Sequence, residues 1–381
     1  MKIEKYNICS RCVMDTSDPD IMFDSNGVCN NCHTFDQITS KRWFPNEEGK
    51  EILEKRLESI KNKYSNQEYD CIIGLSGGID SSYLALLLKD YGLRPLVVHV
   101  DAGWNSEVAV SNIEKIVKYC NYDLHTHVLD WEEVKDLQLS YLKAGIANQD
   151  VPQDHGFNAS LYHFAVKNNI KHIISGGNIA TEGVFPNSWL HSAMDSINLH
   201  AIHKAYGRRE LKQYRTISTL QYYISYPIFY KLRTIRPLNF FNYNRNDAIK
   251  LLKSRIGYKD YGYKHCESIF TKFYQNYYLP EKFGYDKRRP HYSSMILSGQ
   301  LDRDIALKEL EKPLYDSFEL QDDIEYISKK IQITTDQLKS YISAPGRCYS
   351  DFDNWDKYYN LLKQLQRIAE KFFGMEIKNY G

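Results

Sequence analysis

The sequence lacks several features that mark common classes of protein. No run of about 18 apolar residues occurs in the 381 residues, so we expect no membrane-spanning helix. The first residues, MKIEKYNICSRC, have no apolar core of a secretion signal, which predicts a cytoplasmic protein. Basic and acidic residues nearly cancel to a net charge of +1, and this balance disfavours extended binding to nucleic acid.

Cysteine is concentrated near the start of the sequence. Four of the eight cysteines form two CxxC pairs, Cys9 with Cys12 and Cys29 with Cys32. Without a secretion signal, such pairs favour a metal over disulfides. We predict a closed structural Zn²⁺ site formed by the four thiolates, with an iron–sulfur cluster as the alternative. Residues 1–45 are too short to bury a core of their own, and a metal would supply the missing stability.

Short apolar segments alternate with helical patterns through the middle of the chain. The segments at 71–75, 96–100, 124–129 and 172–175 read as strands. Continuous apolar strands between helices predict a parallel sheet covered on both faces, which is an α/β fold. We therefore predict three parts, a cysteine segment, an α/β domain and a mainly helical region, over residues 1–45, 46–240 and 241–381.

A glycine- and serine-rich loop connects the first strand pattern to the next helix pattern. It lacks the lysine of the GxxxxGK[ST] loop, but it matches the SGGxDS loop of the PP-loop ATP pyrophosphatases. Asp80 would be repelled by phosphates unless Mg²⁺ lay between them, so we predict that it binds Mg²⁺. Backbone amides, hydroxyls and the start of a helix would bind pyrophosphate. The predicted ATP-binding residues of this loop are Ser76, Gly77, Gly78, Asp80, Ser81 and Ser82.

Two further strand ends are candidates for the same site, because strand carboxyl ends line the ligand crevice in such sheets. Asp101 ends the second strand pattern and is a candidate for adenosine binding or, equally, for capping a helix. Gly177, Asn178 and Glu182 follow the fourth strand and resemble the second ATP motif of amidotransferases, with Glu182 as a second Mg²⁺ ligand. Asn178 could instead be a helix N-cap.

The C-terminal part contains a dense group of charged and aromatic residues. It includes KHCESIFTKF at 264–273, YLPEKFGYDKRR at 278–289 and SGQ at 298–300. Together with the CxxC pairs and SGGIDSS, these segments resemble the N-acetyl sugar amidotransferase family from about residue 7 to residue 312. The resemblance implies an enzyme that uses ATP to convert the acetamido group of a nucleotide-linked sugar into an acetamidino group. Such enzymes serve surface-polysaccharide or flagellin-glycan pathways.

The expected chemistry assigns roles to this charged group. An amide oxygen that attacks the α-phosphorus of ATP gives an adenylate, and ammonia then displaces AMP. Departing pyrophosphate requires cations, which Lys264, Lys287, Arg288 and Arg289 would supply. His265 and Glu267 would transfer protons during addition of ammonia.

The source of ammonia is predicted from missing motifs. A glutaminase with an N-terminal nucleophile requires cysteine after Met1, but Lys2 occupies that position. The scattered cysteines lack the Gly-x-Cys-x-Gly setting of a triad glutaminase, so we predict a separate glutaminase subunit. Two other interpretations stay open: a tRNA-thiolating PP-loop enzyme with a zinc ribbon, and a non-catalytic nucleotide-binding protein. The balanced charge disfavours the first, and the intact loop disfavours the second.

Overall fold

The centre of the protein is a five-stranded parallel sheet. The structure is a computed structural model that describes residues 6–189, 191–260 and 267–373. The strands lie in the order β3-β2-β1-β4-β5, and each pairs in parallel with its neighbours. Their bounds are β1 Cys71–Gly74, β2 Pro95–Asp101, β3 Leu124–Val128, β4 His172–Ile174 and β5 Arg233–Ile235. The sequence predicted the first four strands but not β5, whose three residues are too few to show a pattern.

Helices connect the strands and form the C-terminal part. The α-helices are α1 Asn30–Arg42, α2 Glu47–Lys63, α3 Ile79–Asp90, α4 Glu107–Cys120, α5 Trp131–Ala144, α6 Val151–Lys167, α7 Ile179–Glu182, α8 Ser196–Tyr206, α9 Arg245–Ile256, α10 Ile269–Phe273, α11 Leu279–Phe283, α12 Arg288–Leu297, α13 Arg303–Leu310, α14 Ser317–Lys330, α15 Thr335–Ser343 and α16 Asp356–Phe373. Two π-helical segments, Gln221–Phe229 and Tyr274–Tyr278, and two 3₁₀ turns, Pro237–Asn239 and Tyr349–Asp351, complete the set.

Both faces of the sheet are buried at its centre, as its apolar strands predict, whereas the edge strand β3 is mostly exposed. Side chains alternate along β1, so that Ile72 belongs to one core and Ile73 to the other. The core around Ile73 includes Leu57 of α2, and the core around Ile72 includes Phe270 of α10. The C-terminal helices therefore share a core with the sheet, and the division at residue 241 stays a prediction.

Two helices begin where the sequence gives little sign of them. α1 begins directly after Cys29 and buries Cys32 and Phe35. α6 begins at Val151 with Pro152 in its first turn. Proline is tolerated at that position because the first amides of a helix have no partner within it.

Among the helices of the described ranges, none combines the length and the apolar character needed to cross a membrane.

Candidate active site

Two loops meet where the direction of the strand order reverses. β1 lies between β2 and β4, so the loops that leave β1 and β4 are neighbours at the carboxyl edge of the sheet. We call residues 75–78 the first loop and residues 175–178 the second loop. Such a crevice is the usual ligand site of open α/β sheets. A Cβ built on Gly176 would lie 3.0 Å from the backbone carbon of Asp80, so the loops touch there.

One position of the first loop requires glycine. Gly77 has φ +81°, and a Cβ there would lie 2.5 Å from the carbonyl oxygen of Ala109. The Gly78 amide donates to Ser76 Oγ at 3.2 Å, and Ser81 Oγ donates to the Gly78 carbonyl at 3.2 Å. The loop is therefore closed by its own serines at the N-terminus of α3.

Three predicted hydroxyl donors occupy different environments. Ser76 Oγ and Ser81 Oγ lie 3.1 Å apart at the loop. Ser82 is fully buried on α3, and its Oγ has no hydrogen-bond partner in the part of the chain that the structure describes. The structure thus brings Ser76 and Ser81 together, while Ser82 lies within the interior.

Asp80 is held by a tyrosine that the sequence did not single out. The buried Tyr243 hydroxyl donates to the Asp80 carboxylate. Burial, and next the carboxylate of Asp80, raise the pKa of Tyr243 well above its ordinary value. Tyr243 therefore stays protonated and donates to Asp80 at neutral pH. Tyr258 makes a similar contact, from its hydroxyl to the carbonyl of Gly77 at 3.1 Å.

Asn178 in the second loop is an N-cap, which is the alternative given above. Its Oδ1 accepts from the Thr181 amide at 2.9 Å and from Thr181 Oγ1 at 3.1 Å. Glu182 is exposed, and its Oε2 lies 3.7 Å from the position that a Cβ on Gly177 would take. The Glu182 carboxylate, at the end of α7, therefore lies near the Gly177 backbone, and Gly176 lies against the backbone of Asp80.

Helix α12 supports the second loop from outside the sheet. His291 Nδ1 lies 3.0 Å from the Thr181 carbonyl oxygen, and Ser298 Oγ donates to the Ala180 carbonyl at 2.8 Å. The Val184 amide donates to Ser294 Oγ at 2.9 Å. Ser298 belongs to the SGQ segment of the family resemblance, and the contacts give Ser298, His291 and Ser294 a positioning role.

Asp101 fixes the chain that follows β2. Its Oδ1 accepts from the Gly103 amide at 2.7 Å and from Asn105 Nδ2 at 3.0 Å. Asn105 forms a β-bridge with Ser268, and the adjacent Ser106 amide donates to a carbonyl of the C-terminal part. These contacts give Asp101 a structural role, and its contact with adenosine stays a prediction.

Glu267 reaches the first loop. Its carbonyl accepts from the Ser106 amide at 2.8 Å, and its Oε1 lies 3.2 Å from the position of a Cβ on Gly78. The other two predicted catalytic residues of this segment, Lys264 and His265, lie outside the described residues.

The charges of Lys287 and Glu267 both act on the buried Asp150. Burial, and next the charge of Asp154, raise the pKa of Asp150 well above its ordinary value, whereas Lys287 lowers it. Lys287 Nζ lies 4.8 Å from the centre of the Phe185 ring. The role of Lys287 with pyrophosphate stays a prediction.

Arg288 and Arg289 make contacts with the protein itself. Arg288 pairs with Asp286 at 2.8 Å and donates to three carbonyl groups at the end of α13. Arg289 pairs with the buried Asp15 at 3.0 Å and donates to the Val13 carbonyl at 2.8 Å. Both guanidinium groups are engaged, and this geometry lends no support to their predicted role with pyrophosphate.

The four N-terminal cysteines form one buried cluster. Their sulfurs all lie within 4.8 Å of one another, with Cys9–Cys32, Cys12–Cys29 and Cys29–Cys32 distances of 3.8, 3.7 and 3.7 Å. The Cys29 amide donates to Cys9 Sγ at 3.2 Å, which favours a thiolate. The donor set fits a single metal ion.

The cysteine segment is attached to the C-terminal helices. Arg303 donates to the carbonyls of Cys9 and Cys12 at 2.8 and 3.0 Å, and the Val13 amide donates to Ser293 Oγ at 3.2 Å. α12 therefore contacts the cysteine segment through Ser293, and the chain that follows α7, at Val184, through the next residue, Ser294.

The fold and the first loop place the chain in the PP-loop class of α/β proteins. Residues 267–366 match the family model described as LPS biosynthesis protein WbpG-like, C-terminal domain. This C-terminal region is similar to the WbpG-like family, which agrees with the predicted family resemblance. The parallel sheet and the SGGIDSS loop at the start of α3 are the features expected of an ATP-using PP-loop enzyme.

Solved structures with a similar arrangement have low sequence identity to the chain. NH3-dependent NAD synthetase from Campylobacter jejuni is 16% identical over 55% of this chain and 93% of its own, with a TM-score of 0.28. U34-tRNA thiolase NcsA from Methanococcus maripaludis with its [4Fe-4S] cluster is 14% identical over 80% and 88%, with a TM-score of 0.35. No curated protein matches the sequence.

Proposed function

We propose that the enzyme adenylates the acetamido oxygen of a nucleotide-linked N-acetyl sugar and replaces this oxygen with the nitrogen of ammonia. The products would be an acetamidino sugar, AMP and pyrophosphate. The main support is the position of Glu267, the first residue of the WbpG-like region, whose carboxylate lies at the first loop. A residue of a family described by LPS biosynthesis therefore lies at a phosphate-binding loop, which favours a sugar acceptor.

In the first step, the acetamido oxygen would bond to the α-phosphorus while the bond to pyrophosphate breaks. The amides of Gly77 and Gly78 and the start of α3 would bind the pyrophosphate. Asp80 in the first turn of α3 and Glu182 at the end of α7 would hold Mg²⁺, which supplies positive charge beside the phosphates. Tyr243 would keep the Asp80 carboxylate in place.

In the second step, ammonia would add to the activated carbon, and the carbon–oxygen bond to AMP would break. The nitrogen must lose a proton, and the Glu267 carboxylate would accept it. Lys287 would balance charge at this end of the site, and Asp101 and Asn178 would border adenosine. Lys264 and His265 keep their proposed roles with pyrophosphate and in proton transfer.

The ammonia would come from a separate glutaminase subunit in a cytoplasmic complex. Free ammonia is scarce as the neutral base near neutral pH, so delivery from a partner would raise the rate. This step predicts that ammonium at high concentration replaces the partner in vitro.

The cysteine centre would hold structural Zn²⁺. A regular tetrahedron with Zn–S bonds of about 2.3 Å has edges of about 3.8 Å, which agrees with the sulfur distances. An iron–sulfur cluster binds its cysteines through separate irons and would separate the sulfurs further. With four protein ligands the ion has no open position, so its role would be to stabilise the fold.

The decisive experiment incubates the protein with ATP, Mg²⁺, ammonium and nucleotide-linked diacetamido sugars. Mass spectrometry would detect replacement of one oxygen by NH. A heavy-oxygen label in the acetamido group should appear in AMP, because that oxygen bonds to the α-phosphorus. Formation of AMP without this label would contradict adenylation of the amide, and absence of AMP with every acceptor would contradict the sugar substrate. Stimulation by tRNA instead would favour the thiolating alternative.

A further inference from the structure

A cavity of about 170 Å³ lies beside the second loop, at the carboxyl ends of β4 and β5. Its wall is formed by side chains of α6, the strand ends and the π-helical segment at Gln221–Phe229. Ligand pockets that enclose a whole small molecule usually measure roughly 300 Å³ or more. This cavity therefore has room for one group of a larger ligand.

The chemistry of the wall selects for an anion. Arg236 is the charged residue among the lining residues, and no carboxylate is among them. Its Nε is buried and has no hydrogen-bond partner within the described ranges of the chain. Unpaired buried donors are costly, so a ligand that accepts from this guanidinium would be bound favourably.

Hydroxyl groups line the same cavity as the guanidinium. The Tyr162 hydroxyl forms hydrogen bonds with Thr234 and Tyr222, and all three residues line the cavity with Ser175. Hydroxyls can donate to or accept from a ligand as required. A cation among hydroxyls matches a phosphate, which offers several acceptor oxygens.

The cavity adjoins the start of α3 at Gly176. Gly176 lines the cavity, and a Cβ built on it would lie 3.0 Å from the backbone carbon of Asp80. Arg236 Nε lies 3.7 Å from the position of a Cβ on Gly177. The first loop already offers amides to the pyrophosphate of ATP, so a phosphate on the far side of Gly176 would belong to the other substrate.

We propose that this cavity, the Arg236 pocket, binds a phosphate of the nucleotide-linked acceptor. This inference rests on the proposed function, because it supplies the acceptor site for that reaction. Arg236 donates to the phosphate, while Thr234 and Tyr222 complete its hydrogen bonds. The acceptor then extends past Gly176 and presents its acetamido group at the first loop.

The test measures binding without turnover. Calorimetric titrations with UDP, GDP and dTDP, in the absence of ATP, are compared between the wild type and Arg236→Gln. Loss of charge-assisted hydrogen bonds should weaken the best-bound diphosphate about ten- to a hundredfold. Affinity for a non-hydrolysable ATP analogue with Mg²⁺ should be unchanged. Arg215→Gln, which removes the same charge at an exposed position, is the matched control and should change neither affinity.

The outcomes separate this inference from the proposed reaction. Equal diphosphate affinity in wild type and Arg236→Gln, or no binding of any diphosphate by wild type, overturns the Arg236 pocket. A loss of affinity confined to the ATP analogue would assign the pocket to ATP, and this result also overturns the proposed acceptor site. If Arg236→Gln does not fold, Tyr222→Phe provides the test, with a smaller loss expected for the diphosphate alone. Failure to form AMP refutes the proposed reaction but leaves these binding results intact.

Discussion

The two loops of the candidate site follow neighbouring strands but are supported in different ways. The first loop is closed by its own serines and continues into α3, a helix of 12 residues. The second loop continues into α7, which has 4 residues and is held by side chains of α12. One half of the site is thus built locally, and the other depends on the C-terminal part of the chain.

The largest effect should come from the first loop itself. Asp80→Ala removes the carboxylate that we assign to Mg²⁺, so we expect AMP formation to fall more than about a hundredfold. Tyr243→Phe keeps the Asp80 carboxylate and removes its hydrogen-bond donor, so AMP formation should fall less than in Asp80→Ala. The measurement is release of pyrophosphate and AMP at saturating ATP. AMP formation near the wild-type rate in Asp80→Ala would remove Asp80 from the site.

Loss of the metal should affect the second loop more than the first. We expect Cys29→Ser to lose bound metal and to lower stability by on the order of 3 kcal/mol. Because the cysteine segment contacts α12, hydrogen exchange should quicken at residues 179–184 and stay slow at residues 79–90. Metal analysis and exchange mass spectrometry provide the readouts. Equally faster hydrogen exchange in both segments would show that loss of the metal does not act selectively on residues 179–184. Normal metal content would exclude Cys29 as a ligand.

Adjacent serines on α12 allow a matched comparison. Ser294→Ala leaves the buried Val184 amide without its acceptor, which should cost about 1–3 kcal/mol and raise the KM for ATP. Ser293→Ala removes the acceptor of the Val13 amide in the cysteine segment instead. It should lower stability similarly with little direct change in KM. Thermal unfolding and ATP kinetics distinguish the two, and identical kinetics would argue against support of the second loop by Ser294.

The strand beneath each loop begins with a different titratable residue. Burial lowers the pKa of His172, the first residue of β4, to about 4, while burial raises the pKa of the Cys71 thiol at the start of β1. Folded His172 therefore stays neutral where the unfolded chain already binds a proton. Stability should fall as pH falls from about 6.5 to about 4, by roughly 1–2 kcal/mol at pH 5.

The substitution His172→Phe tests this effect. Phenylalanine keeps the ring that packs edge-on against Tyr64 but cannot take up a proton. Denaturant unfolding at several pH values should show that the free energy of unfolding falls less in acid for the variant than for the wild type. Above pH 7 the free energy of unfolding should change with pH equally in both proteins. The same acid loss in both proteins would rule out His172 as its cause.

The first loop could be predicted from sequence because its parts are consecutive. Gly77, Ser76 and Ser81 lie within one strand–loop–helix unit, and the strand periodicity placed that unit at the sheet edge. The cysteine centre was equally local within each CxxC pair. Short-range spacing carried both predictions.

The supporting residues could not be predicted because their partners are distant in sequence. Tyr243 reaches Asp80 across 163 positions, and Tyr258 reaches Gly77 across 181 positions. Neither tyrosine differs in its local pattern from the many other tyrosines of the chain. Arg289 shows the opposite problem, because a charge beside a phosphate and a charge paired with a buried Asp15 have the same appearance in sequence.

The attachment of the cysteine segment also has a consequence for the order of synthesis. Val13 and Arg289 are 276 positions apart, and Cys9 and Arg303 are 294 positions apart. At about 5–20 residues per second, the ribosome would add these arginines roughly 15–60 s after the cysteines. The cysteine segment would therefore be able to bind the proposed Zn²⁺ while the chain is still growing. It can dock against α12 only after that helix has been synthesised. A truncated nascent chain would then carry the proposed metal centre but only half of the proposed nucleotide site.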